Sequence, residues 1–345
     1  ATTLIDPYAA ESDKKAFQDG WFDHHMPDLN QKNPELANYL IQNTIWWIEN
    51  FKLNGLRIDT YSYPDQEFMK RLIKEVLNEY PTIGVFGEVW VQGTPLQAYF
   101  VQKNPCLQEN PYLPGVTDFQ VYSALTHALT NDFGWTEGVA RIYHTLADDQ
   151  MYYDPFQNVL FLDNHDLSRF YSIVGEDIDK LKIAIGFMLT SRGIPSLYYG
   201  TEILMKNFSN PDALVREDFP GGWPKDSVNK FYHAGRTVKE NEIFDYVMTL
   251  ANYRKQSSVL QTGKLKQFIP QKGVYVYFRY NGKNEKVMVI INQTNDVQSF
   301  KTERFSEIID KTMKGRDVVS KKNYTFENNF SIGPKSILIL EINAQ

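Results

Sequence analysis

Three acidic residues in this chain stand where apolar runs end, each beside a group that acid chemistry uses. In Gly55-Leu56-Arg57-Ile58-Asp59-Thr60, an extended strand puts Arg57 and Asp59 on one face, two residues apart. Twenty-nine residues on, Gly87-Glu88-Val89-Trp90 closes the apolar run Ile83 to Phe86. After another 78 residues, Phe161-Leu162-Asp163-Asn164-His165-Asp166 supplies a third acid with a histidine next to it. Two carboxylates about 5–5.5 Å apart across a sugar-sized cleft cleave a glycosidic bond by double displacement. Surroundings divide the roles. Asp59 beside Arg57 is expected to stay ionised as nucleophile, and Glu88, flanked by Val89 and Trp90, to be held protonated by partial desolvation as general acid/base. Asp166 is expected to orient ring hydroxyls and favour the cationic transition state, with His165 donating to the same hydroxyls. Taken singly, Arg57 and Asp59 read as well as a structural ion pair, Glu88 as a rim carboxylate and His165/Asp166 as a helix cap. Three acids at successive strand ends favour a site.

Composition narrows the ligand. The 345 residues are 42% apolar, enough for a sizeable core and more than one domain. A net charge of −6 offers no basic face for a phosphate backbone, so nucleic acid is an unexpected partner. Aromatic residues at 14% provide flat faces with polar edges that suit sugar rings, although cores use them too. Cys106 is alone, so neither an intrachain disulfide nor a thiolate cluster is expected. The apolar run near Ile183 to Leu189 is too short to span a bilayer, and Ala1 to Pro7 show no signal peptide.

The elements that must position these acids alternate. Residues 1–32 read as a long loop. Asn33-Pro34-Glu35 opens a helix to about Phe51, and Asp65 to Tyr80 carries a second apolar stripe. Strands at Leu56–Asp59, Ile83–Phe86, Val116–Phe119, Val159–Leu162 and Ile194–Tyr198 alternate with helices near Pro95–Val101, Val121–Asn131 and Ile178–Ser191. Such alternation implies a parallel sheet, and a (β/α)8 TIM barrel spends roughly 31 residues per unit and keeps its chemistry at the C-terminal strand ends. A helical region over 226–256 ends this part, and period-two runs from about Gln261 predict an antiparallel β-sandwich over 257–345. The expected division is a loop over 1–32 from the end of an inserted domain, barrel over 33–256, sandwich thereafter. Only strands 4 to 8 of such a barrel are accounted for, which predicts that the missing strands come from the rest of the same protein.

At these residues the sequence resembles the α-amylase superfamily, glycoside hydrolase family 13. Arg57 and Asp59 look like its nucleophile motif, Glu88 its acid/base motif, and His165 with Asp166 its transition-state motif. Met26-Pro27-Asp28-Leu29-Asn30 is similar to the extra motif of the neopullulanase and cyclomaltodextrinase subgroup, and Tyr198-Tyr199-Gly200 resembles the last barrel strand. The resemblance implies a retaining hydrolase of α-1,4-glucan oligomers, cyclodextrins or pullulan in a bacterial setting, cytoplasmic or periplasmic. A transglycosylase and a catalytically silent glucan-binding barrel are the alternatives. It also implies that Arg169 reaches glucose units on the non-reducing side. No cofactor is required by it; calcium and a homodimer are compatible with it. Departures from the pattern are the absent Asp and Asn-His motif of the third strand, Thr60-Tyr61-Ser62-Tyr63 in place of the common Lys-His, and Thr201 where relatives often carry an acid.

Other candidates lie outside the acids. Asp23, His24 and His25 suggest a metal, but adjacent histidines on a loop face one ion with difficulty, so solvated residues are the preferred reading. Trp46-Trp47 is expected in the core and as a helix-packing surface, with sugar stacking the lesser alternative; Trp223, after Gly221-Gly222, is the stacking candidate, and Trp90 and Arg57 are expected among the substrate-binding residues.

Overall fold

The computed structural model describes residues 5–6, 8–104, 110–282, 284–326 and 329–343; Cys106 lies outside the described residues. The chain divides into two compact units, residues 1–120 with 147–160, and 121–146 with 161–345.

In the first unit α1 (Glu11–Asp19), α2 (Pro34–Phe51), β1 (Gly55–Ile58), α3 (Gln66–Glu79), β2 (Gly84–Gly87), α4 (Thr94–Ala98) and β3 (Gly115–Val116) follow in order. Asn33 caps α2 by accepting from the Glu35 N–H, and Pro34 fills the first turn, where a missing donor costs nothing. Asp65 caps α3 in the same way through the Phe68 N–H. α3 turns Phe68, Met69, Leu72, Ile73 and Val76 inward, onto a core shared with Ile41, Ile48, Val85, Val89 and Val116. The strands form a parallel sheet in the order β1-β2-β3, with Arg57 opposite Phe86 and Ile58 opposite Gly87. α5 (Phe119–Thr130) and β4 (Val159–Phe161) each begin in this unit and end in the other.

The second unit adds α6 (Val139–Ala147), α7 (Phe170–Ile173), α8 (Ile178–Thr190), β5 (Ile194–Ser196), α9 (Val238–Gln256) and α10 (Ser258–Thr262). Eight strands follow: β6 (Lys264–Gln271), β7 (Val274–Tyr280), β8 (Lys286–Asn292), β9 (Gln298–Lys301), β10 (Lys314–Asp317), β11 (Asn323–Thr325), β12 (Asn329–Ile332) and β13 (Ser336–Asn343). Six of them make an antiparallel sheet, β11-β10-β13-β8-β7-β6, and β12 pairs with β9. Alternation along β7, β8 and β13 sends Phe278, Met288, Ile290 and Leu340 into a core with Phe305, Phe326 and Phe330. The opposite face of β7 meets α8: Tyr277 bonds Thr190, and Arg279 donates to the carbonyls of Thr190 and Ser191 at the negative end of that helix.

Three expectations need correction. The 1–32 stretch holds α1. No residue of α1 is fully buried, so no apolar stripe betrays it; Glu11 and Asp13 in its first turn and the Glu11–Lys14 pair support it instead. The helix expected from 226 begins only at Val238, where Thr237 and Glu240 form a reciprocal capping box. Trp46 and Trp47 are about half exposed, packed on each other and on Phe51 along the outer side of α2.

Candidate active site

In the first unit the sheet brings two acids together. Glu88 N–H donates to the Ile58 carbonyl (2.8 Å) and Tyr61 N–H to the Glu88 carbonyl (2.9 Å), which continues the β1–β2 pairing past the strand ends. Gly87 is required here: a Cβ would lie 2.7 Å from the ring of Tyr61, itself 1% exposed. Arg57 then bridges both acids, Nη1 to Asp59 Oδ1 at 2.7 Å and Nη2 to Glu88 Oε2 at 3.2 Å. The two carboxyls differ in solvation, with side chains 65% exposed for Asp59 and 7% for Glu88. Burial holds Glu88 above the usual carboxylate range; the Thr60 N–H and Arg57 oppose the shift, and the Asp59 carboxyl, near enough to hydrogen-bond with it, adds to it. Trp90 lies flat on Phe119 (centroids 4.8 Å, 10°) and is 39% exposed, so one ring face is covered and the other open.

Sequence reasoning missed one aromatic group near this pair. Tyr63, four residues beyond Asp59, stacks on Phe17 of α1 at 4.6 Å and meets the edge of Phe22 at 4.9 Å. The signal was present as Phe17, Trp21 and Phe22 in a polar stretch, but nothing local assigns them a partner.

In the second unit, Asn164 shapes the acidic loop by accepting from the Asp166 and Leu167 N–H groups, both at 2.9 Å. His165 Nε2 lies 3.2 Å from Asp166 Oδ2. Arg216, which no motif flagged, holds the same loop: Nη2 to Asp166 Oδ1 at 2.8 Å, Nε to the His165 carbonyl at 2.8 Å, and a further pair with Asp212 at 2.9 Å. Fifty positions and a turn-rich stretch separate it from Asp166, beyond the reach of any spacing rule.

Arg169, which the resemblance implied would reach glucose units, lies in the interior. It is 1% exposed, donates Nη1 to the Tyr199 carbonyl at 2.6 Å, and lies over the rings of Tyr198 and Tyr199. Beside it Asp163, 2% exposed, accepts from the Phe170 N–H and from Thr201 Oγ1, both at 2.9 Å. Burial raises the pKa of Asp163 and of Glu202 against the attraction of Arg169. Trp223 is 62% exposed, with its main-chain N–H donating to Asp226 Oδ2.

For a metal, a turn brings donor atoms of Asp23, His24 and His25 within 4.8 Å of one another, closer than adjacent loop histidines were expected to come. All three are exposed, and two imidazoles suit a transition ion, not calcium, which takes oxygen ligands. Among the described residues no helix is long and apolar enough to cross a membrane.

Residues 8–263 match the family model for the α-amylase catalytic domain. The chain belongs to the α-amylase family. Residues 265–341 match the cyclo-malto-dextrinase C-terminal domain, which places the chain on the cyclomaltodextrinase side of that family. It is 28% identical to a cyclomaltodextrinase of Geobacillus thermopakistaniensis over 79% of this chain and 42% of that protein. Against an intracellular maltogenic amylase of Bacillus subtilis the identity is 25%, over 94% of this chain and 50% of the relative. Alpha-amylase 3 of Dictyoglomus thermophilum gives 26%, over 92% and 64%. The chain thus spans about half the length of these curated relatives. The solved α-amylase of Geobacillus thermoleovorans, complexed with acarbose, is similar in fold with a TM-score of 0.79 at 23% identity, over 99% of this chain and 74% of its own. Family and fold together make this a TIM-barrel catalytic region followed by a C-terminal β-sandwich.

Proposed function

We propose that the protein is a retaining glycoside hydrolase acting on α-1,4-glucosidic bonds of starch-derived oligosaccharides, cyclodextrins or pullulan. The observation that carries this reading is the pair Asp59/Glu88: two carboxyls spanned by one arginine, one solvated and one buried with a raised pKa. Double displacement needs carboxyls about 5–5.5 Å apart and inversion about 6.5–9.5 Å; one guanidinium holding an oxygen of each acid, at 2.7 and 3.2 Å, supports the nearer spacing. Asp59 attacks the anomeric carbon while Glu88 gives its proton to the leaving oxygen. Glu88, now ionised, takes a proton from a water as that water's oxygen attacks the anomeric carbon, and the bond from that carbon to Asp59 breaks, returning the Asp59 carboxylate and the protonated Glu88. Arg57 keeps Asp59 ionised beside its neighbour. In the second unit Asp166, steadied by Arg216, and His165 are assigned to ring hydroxyls, and Trp90 of the first unit and Trp223 of the second are each assigned to sugar binding through their exposed rings.

Arg169 is assigned a supporting place instead of a sugar contact, since its guanidinium is enclosed by Tyr198, Tyr199 and the Tyr199 carbonyl. β1 to β5 are proposed as the last five strands of the eight-stranded barrel, with the barrel region over 33–256 and the sandwich over 257–345. No cofactor has a part in these steps. The test is release of reducing ends from maltoheptaose and β-cyclodextrin by the purified protein. Asp59→Asn is expected to lower it by roughly 10²-fold or more; turnover at the parent rate would refute the reading.

A further inference from the structure

We propose that the main-chain N–H of Thr60 is a positioning group that decides which oxygen of Glu88 carries the catalytic proton, a role that rests on Glu88 being the acid/base. Thr60 has φ 43° and is the one β-branched residue among the ten described non-glycine residues at positive φ. A β-branched side chain is a steric outlier there, and such strain persists only where the surroundings over-determine it.

The surroundings are identifiable. The Ile58 carbonyl and the Tyr61 N–H are both tied to the main chain of Glu88, at 2.8 and 2.9 Å. The Tyr61 ring closes against Gly87. Asp59 and Thr60 must therefore turn within two residues, and the turn aims the Thr60 N–H at the Glu88 side chain, N to Oε2 at 3.1 Å. Arg57 Nη2 stands 3.2 Å from the same oxygen. Oε2 thus faces two donors, and a proton placed on it would meet both head-on. Neutral Glu88 carries its proton on Oε1, and the acid is presented in a single orientation. The ionised form gains the Thr60 hydrogen bond in full; that bond and the Arg57 charge oppose the upward push of burial and of the neighbouring Asp59 carboxyl, and keep the acid strong enough to release its proton. Glycine would reach this backbone without strain; what the chain needs at position 60 is the N–H and the turn, not the side chain.

The test is a pair of pH titrations on the intact chain by NMR, one following the Thr60 amide proton and the other the 13C-labelled Glu88 carboxyl. The amide is expected to shift with the same midpoint as the carboxyl, and to lose that shift in Glu88→Gln. Thr60→Gly, which keeps the N–H, should retain the common midpoint. Replacing the Thr60 amide by an ester should raise the Glu88 midpoint. A Thr60 amide that stays flat while Glu88 titrates, or an ester that leaves the midpoint unmoved, overturns the proposal. Full turnover of maltoheptaose by Glu88→Gln would instead overturn the acid assignment, a separate failure with its own readout.

Discussion

Replacing Glu88 by glutamine should cost activity and add stability, and the two effects have different pH dependences. The introduced amide can present its oxygen to the Thr60 N–H and Arg57, which now serve Oε2, and its NH2 to Asp59. Every polar contact is kept and only the buried charge is lost. Because burial raises the folded pKa of Glu88 above 4.5, its contribution to stability is complete below that value and is lost as pH rises through the folded pKa. The neutral variant has no such loss, so it gains about 1.4 kcal/mol for each unit of the shift. Urea unfolding of both proteins at pH 7.5 and at successively lower pH reads this directly. The variant should unfold at higher urea at pH 7.5, with the gap closing as pH falls through the folded pKa towards 4.5. Its turnover should drop by roughly 10²–10⁴-fold, the usual worth of a general acid. A variant no more stable than the parent at pH 7.5 would refute the claim that Glu88 is a strained, buried acid.

Other outcomes follow from single contacts. Arg216→Ala removes the 2.8 Å partner of Asp166 and should lower kcat/KM by roughly 10–100-fold in initial-rate assays. Thr201→Val takes away the 2.9 Å bond to buried Asp163 Oδ1, a loss of about 1.5–3 kcal/mol by urea unfolding. Gly87→Ala drives a methyl to 2.7 Å from the Tyr61 ring, which should cost about 1–3 kcal/mol and lower turnover, since Tyr61 anchors the turn that carries Asp59.

The helices and strands that position the acids were legible where local chemistry is decisive. Asn33-Pro34 marks the first residue of α2, and the stripe from Phe68 to Val76 marks the buried face of α3. The pairing of Arg57 and Asp59 was legible too, because strand geometry alone places residues two apart on one face. Contacts made at long range were not. Arg57 also reaching Glu88 depends on the β1–β2 register, and Arg216 reaching Asp166 depends on a loop path that no period encodes. The surroundings of Arg169, for which the resemblance implied a sugar contact, were not legible, because sequence does not say whether tyrosine rings and a carbonyl enclose a guanidinium. α1 escaped because a helix that buries no residue fully shows no apolar stripe in its sequence.

The most direct measurement is to trap the intermediate. The protein would be incubated with a fluorinated α-glucosyl fluoride whose second step is slow, digested, and sequenced by mass spectrometry. One added fluoroglucosyl group on the peptide bearing Asp59, with fluoride released and the adduct absent from Asp59→Asn, is the result that double displacement predicts. Turnover of maltoheptaose with no adduct and release of the inverted anomer would contradict it.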